Sequence, residues 1–161
     1  VSATVAGQVP QWRLVDTGET VEADAPDNVL VNGTLAGGGL LSFQAASVPY
    51  NGSGWRMEAY GTEGTLVASS AALPQITPIS LLGARGSDPL APLHVPVSEP
   101  DGLTVPTGPG HNIARSYARM ASAIRDGAPA EPDFNDAVRV HRLLDSVLAS
   151  SAERRAIGVG T

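Results

Sequence analysis

A chain of 161 residues and 16.4 kDa, 42% apolar and 16% charged, is long enough for one sizeable core and too apolar for disorder. Having no Cys excludes a disulfide scaffold, thiolate metal sites and a cysteine nucleophile, and since all 10 basic residues are Arg, no lysine chemistry can run on this chain alone. A net charge of −6 with scattered arginines argues against a nucleic-acid partner, and no apolar run approaches the ~18 residues of a membrane-spanning helix.

The opening Val-Ser-Ala-Thr-Val-Ala-Gly reads as a strand, with no basic and apolar leader ahead of it. No secretory signal is expected. Together with the absence of Cys, this makes a cytoplasmic location the expectation. Asn32-Gly33-Thr34 and Asn51-Gly52-Ser53 match the glycosylation acceptor pattern, but without secretory features they read as a strand residue and a turn. Residues 1–72 read as β throughout. Asn28 to Leu35 and Leu40 to Val48 form a hairpin across Ala36-Gly37-Gly38-Gly39, because glycine tolerates the positive φ a tight turn demands. On the second strand Leu41, Phe43 and Ala45 share one face, and Ser42, Gln44 and Ala46 the other. A second hairpin pairs Trp55 to Tyr60 with Thr65 to Ser69. Trp55, Met57 and Ala59 there alternate with Arg56, Glu58 and Tyr60, the period-two pattern of a half-buried strand.

From Ala72 to Pro109 the pattern dissolves. Eight of the 13 prolines fall between Pro74 and Pro109, so irregular chain with at most short edge strands (Ile76–Leu82, His94–Val97) is expected, lying on an edge or against a partner. Two helices follow. Asn112 to Asp126 carries Ile113, Tyr117, Met120, Ala121 and Ile124 on one stripe and stops at Gly127. Asp133 or Asn135 caps the second, which runs to about Ser151 with Ala137, Val140, Leu143, Leu144, Val147 and Leu148 inward. Ala156 to Val159 reads as a short terminal strand. Strands first and helices afterwards give an α+β fold, a largely antiparallel open-faced sheet with helices packed on one face, as a single domain over residues 1–161.

Few motifs carry chemistry. Gly108-Pro109-Gly110-His111-Asn112-Ile113-Ala114 is a glycine-rich string at a helix mouth, but a dinucleotide site needs a buried strand before it and another after the helix. Here the preceding Leu103-Thr104-Val105 is short and Gly127 to Pro132 holds no strand, so it reads as a loop entering a helix. His94, His111 and His141 stand at no metal-ligand spacing, and no nucleophile motif is present. Asp133 and Asp136 read as helix-capping residues rather than an acid–base pair. The substrate-binding candidates are Trp12, Arg13, Tyr50, Trp55 and Arg56, aromatic and guanidinium groups that suit sugar stacking or a subunit interface, and His111 at the helix mouth. There are no catalytic, cofactor-binding or metal candidates.

The order of these features resembles the carboxy-terminal domain of the Gfo/Idh/MocA oxidoreductases, the glucose–fructose oxidoreductase and inositol dehydrogenase family. The residues that carry the resemblance are the Glu58-x-Tyr60-Gly61-Thr62-x-Gly64-x-Leu66 hairpin and the junction from Gly127 through Pro132-Asp133-Phe134-x-Asp136-Ala137. The segment Pro26 to Leu35 is similar to the branch that includes a yeast galactose regulator without known turnover. The resemblance implies a parent with an amino-terminal Rossmann domain that binds NAD or NADP and carries the catalytic lysine. This chain holds neither, so no cofactor is expected to bind it alone. Further expectations are hydride transfer on a sugar or cyclitol by the parent, or else a sugar-sensing module without turnover. The Rossmann domain is the implied partner, and a homo-oligomer through the open sheet face is the implied assembly.

Overall fold

The computed structural model describes residues 1–47, 51–94 and 108–160. Along the chain run β1 (Ser2–Ala6), β2 (Gln11–Arg13), β3 (Thr20–Glu22), β4 (Asn28–Thr34), β5 (Leu40–Ala46), β6 (Trp55–Tyr60), β7 (Gly64–Ser70), β8 (Ser80–Arg85), β9 (Ala91–Pro92), α1 (Pro109–Asp126) and α2 (Phe134–Glu153). The fold is α+β and, among the described residues, every strand pairing is antiparallel. Two compact units result, Val1–Tyr50 with Pro132–Thr161, and Asn51–Glu131.

In the first unit the strands run β1-β4-β5, with β2 and β3 as a separate two-stranded ribbon. The β4–β5 hairpin turns through the expected glycines: Leu35 N–H donates to Gly39 O at 2.8 Å and Gly38 N–H to Leu35 O at 2.9 Å, with Gly38 at φ 85°. The outer edge of β1 is closed by side chains of α2. Ser150 Oγ accepts from Ala3 N–H at 3.0 Å, and Ser151 Oγ accepts from Val5 N–H at 2.8 Å. Serine hydroxyls thus take the place of a neighbouring strand and protect an edge that could otherwise pair with another chain. Beyond them no terminal strand forms. The expected strand at Ala156 to Val159 reduces to Ile157, which exchanges two backbone hydrogen bonds with Val1 at 2.7 and 2.8 Å.

α2 begins as the sequence indicates. Asp133 caps it, accepting from Asp136 N–H at 3.0 Å while the Asp136 carboxylate accepts from Asp133 N–H at 2.8 Å. The inward stripe expected of this helix is only partly buried. Val147 is 7% exposed, whereas Val140, Leu143, Leu144 and Leu148 are exposed. The periodicity marks an amphipathic face, but only the end of α2 that crosses β1 is covered within this unit. The α1 stripe is likewise exposed, as are Leu41 and Phe43 on the face of β5 that the alternation marks as apolar.

The second unit is a meander, β6-β7-β8-β9, with Val67 at its centre 3% exposed. Two expectations for the proline-rich stretch are corrected here. β8 is an interior strand flanked by β7 and β9, and it starts at Ser80 rather than Ile76. Ser80 to Arg85 contains no proline, while residues 73–77 turn back on Leu73 O, which accepts from Ile76 and Thr77 N–H. Pro92 sits on the edge strand, where a missing N–H costs no ladder bond. His94 lies outside any strand, and 95–107, including Leu103 to Val105, are outside the described residues. Gly64 has a packing reason to be glycine: a Cβ there would stand 2.2 Å from the Ala84 carbonyl oxygen.

Candidate functional site

Tyr50 is outside the described residues, and the five remaining substrate-binding candidates divide between the units. Trp12 and Arg13 are consecutive on β2, so their side chains leave opposite faces of the ribbon, where both are exposed. Arg13 Nε folds back to donate to Gly18 O at 3.2 Å, which gives it a part in holding the ribbon's turn. In the second unit Trp55 and Arg56 likewise leave opposite faces of β6. His111 does not precede its helix as expected. α1 starts at Pro109, whose ring presets the first helical φ, so His111 lies in the first turn with its N–H donated to Gly108 O at 3.0 Å.

The period-two spacing does assemble one polar ladder. Arg56 Nε donates to Glu58 Oε1 at 2.8 Å, a second guanidinium N–H reaches the same oxygen, and Tyr60 Oη donates to Glu58 Oε2 at 2.9 Å. The Arg56 contact first, then the Tyr60 hydroxyl, holds the Glu58 carboxyl below its usual range. The same bond to Glu58 pushes the Tyr60 phenol up. A glutamate kept ionised and doubly engaged is a poor general acid; its work here is to orient Arg56.

Among the described residues, Ser53, Ser69, Ser70, Ala71, Pro78, Ile79 and Ser80 line a groove of about 410 Å³. Ser70 closes the β7–β8 connection beneath it: its hydroxyl bonds the Thr77 hydroxyl at 2.5 Å and donates to Pro78 O at 2.9 Å. The same connection is tied to α1, since Asn112 Nδ2 donates to Gln75 O at 2.7 Å. Sequence reasoning missed the groove, because serines at 53, 69, 70 and 80 carry no motif. Their available signal is the pairing register, which sets Ser69 directly opposite Ser80.

A second feature the sequence did not flag is Asp27, 6% exposed at the head of β4. Its carboxylate accepts from Gln8 N–H at 2.9 Å, Val9 N–H at 2.8 Å and Asn28 Nδ2 at 2.8 Å. The Val9 amide, followed by the Asn28 amide, lowers its pKa from the ordinary 3.8. Fully occupied by the chain that leaves β1, Asp27 is a structural anchor rather than an acid or base.

Among the described residues no cluster of His, Asp and Glu could hold a metal ion. The glycine-rich string at 108–114 does not fit a nicotinamide dinucleotide either. Pro109 removes one N–H at the helix mouth, and α1 is followed from Gly127 to Asp133 by turn and irregular chain, not by a strand.

No known protein-family profile and no curated protein matches the sequence. Solved structures do match in fold. Levoglucosan dehydrogenase in complex with NADH and L-sorbose superposes with a TM-score of 0.79 at 21% identity, over 99% of this chain and 44% of that one. A super-repressor mutant of Gal80p from Saccharomyces cerevisiae gives a TM-score of 0.76 at 21% identity, again over 99% and 44%. An oxidoreductase domain protein from Kribbella flavida gives 0.74 at 20% identity with the same coverage. The chain therefore spans less than half the length of the solved structures it matches. It has the carboxy-terminal fold of Gfo/Idh/MocA-type proteins. Within the Gfo/Idh/MocA fold the two quoted sequence motifs have local structural reasons. Glu58 to Leu66 holds the Arg56–Glu58–Tyr60 ladder and the close approach at Gly64, and Pro132 to Ala137 holds the capping box of α2.

Proposed function

We propose that residues 1–161 act as the substrate-side and subunit-assembly domain of a longer NAD(P)-dependent oxidoreductase acting on a sugar or cyclitol. The observation that carries this reading is the superposition of nearly the whole chain on part of a dehydrogenase bound to NADH and L-sorbose. Cofactor binding and hydride transfer belong, on this reading, to an amino-terminal Rossmann domain. The absence of Lys and the occupied state of Asp27 and Glu58 support a division of labour in which this domain shapes the cleft without doing the chemistry. Self-association through an open sheet face and a cytoplasmic location complete the proposal. In support of the latter, no described helix is long and apolar enough to cross a membrane. The Gal80p match favours a second reading, a sugar-sensing regulatory module of the same fold without turnover.

The parent open reading frame separates the two. Purified parent mixed with NAD or NADP and a panel of monosaccharides and cyclitols should form reduced cofactor, read by absorbance. Saturable sugar binding with no reduced cofactor on any substrate would assign the regulatory reading instead.

A further inference from the structure

We infer that the serine-lined groove at the β7–β8 junction binds an uncharged polyol or monosaccharide, an inference that rests on the sugar-directed reading of the fold and assigns it a place. Among the described residues the lining contains no charged side chain. It brings together Ser53, Ser69, Ser70 and Ser80 with the apolar Ala71, Pro78 and Ile79. A sugar ring needs this mixture: its hydroxyls alternately donate and accept, as serine does, while its C–H face sits against an aliphatic surface. A carboxylate or phosphate would find no counter-charge in the lining itself.

The groove is built rather than incidental. Ser70, only 7% exposed, spends its hydroxyl on Thr77 and Pro78, which clamps the two ends of the connection together. Gly54 adopts φ 84°, and a Cβ there would lie 2.3 Å from Ser70 O. Only glycine lets the chain lie that close on the β7 end, and this places Ser53 on the rim. The register then sets Arg56, Ser69 and Ser80 in one row across β6, β7 and β8. Glu58 engages two of the five guanidinium N–H groups and fixes the fork beside that row. Arg56, opposite Ser69 in the register, has its charge offset by Glu58.

The test is amide chemical-shift perturbation on the isotopically labelled chain, titrated separately with L-sorbose and myo-inositol. For a shallow site and a ligand of about a dozen heavy atoms, ligand-efficiency limits give dissociation constants of roughly 1–10 mM. The expected result is saturable shifts centred on Ser53, Ser69, Ile79 and Ser80. In the Ser69→Val, Ser80→Val double variant they should weaken at least about tenfold. Ser53→Ala, on the exposed rim, serves as the second variant if the double one loses the dispersion of the native spectrum. Shifts that do not saturate, that centre elsewhere, or that persist unweakened in a folded variant overturn the inference. The parent's cofactor reduction is read independently, so a failed groove and a failed oxidoreductase reading give different results.

Discussion

Ser150 is 1% exposed, and its hydroxyl joins two segments that are far apart in sequence. It accepts from Ala3 N–H at 3.0 Å and donates to Arg155 O at 2.7 Å. Ser150→Ala removes one atom and leaves a strand N–H and a helix-terminal carbonyl without their partner. Each orphaned buried backbone group costs about 1–1.5 kcal/mol, so the substitution should cost roughly 2–3 kcal/mol. For a chain of this length each 1 kcal/mol moves the melting midpoint by about 2–4 °C, which predicts a fall of roughly 5–10 °C. Ser151→Ala loses a single, less buried bond to Val5, for about 1 kcal/mol and half the shift or less.

Thermal unfolding followed by circular dichroism gives the size of the effect, and hydrogen exchange gives its place. Ala3 should exchange roughly 30- to 150-fold faster in Ser150→Ala, if the unfolding that exposes it is the one the bond opposes. Amides of β7 and β8 lie in the other unit and should change far less. A midpoint within about 1 °C of the parent chain, or unaltered protection at Ala3, would refute the claim that the serine pair closes the β1 edge.

Three further outcomes follow from the same reasoning. Asp27 has a lowered folded-state pKa, so its contribution is complete above the ordinary 3.8 and is lost as pH falls through the folded value. Acid titration of stability should therefore show a limb below about pH 4 that flattens in Asp27→Asn, at the cost of lower stability at neutral pH. Arg154 holds the left-handed conformation at φ 54° past the end of α2, where glycine bears no Cβ penalty. Arg154→Gly should raise stability by about 1 kcal/mol, measured by urea unfolding. Titrating NADH into the isolated chain should give no dissociation constant tighter than about 100 μM, and calorimetry showing tighter binding would contradict the poor fit at Gly108–Ala114.

What the sequence made legible was local. Both long hairpins, the turn glycines, the Asp133–Asp136 cap and the stop of α1 at Gly127 follow from backbone chemistry within a few residues, and the structure has them. Two kinds of error had physical causes. The density of prolines in 74–109 made β8 read as a short edge strand starting at Ile76, although the proline-free Ser80 to Arg85 is interior and Pro92 is harmless on the edge beside it. The apolar stripe of α2 reads as inward, yet periodicity reports only that a face is apolar, not that a unit covers it. The site was less legible still. Trp55 and Arg56 stand opposite Ser70 and Ser69 only through strand register, and Asp27 and Ser150 owe their roles to partners 18 and 147 residues away.

The same fold appears in a dehydrogenase bound to NADH and in a repressor, so the fold by itself does not choose between turnover and sensing. What this chain's own residues favour is a role common to both. Asp27, Glu58 and Asp133 are held ionised by bonds to the chain itself, which removes them as proton donors near neutral pH. A serine-lined groove with no charged residue in its described lining can take up a neutral polyol without desolvating an ion. Binding of the kind proposed is weak, quickly reversible and insensitive to salt, properties that suit either proposed reading. On the proposed reading, a lysine and a nicotinamide supplied by another domain would make this chain part of an active site, and without them the same groove would serve a sensor.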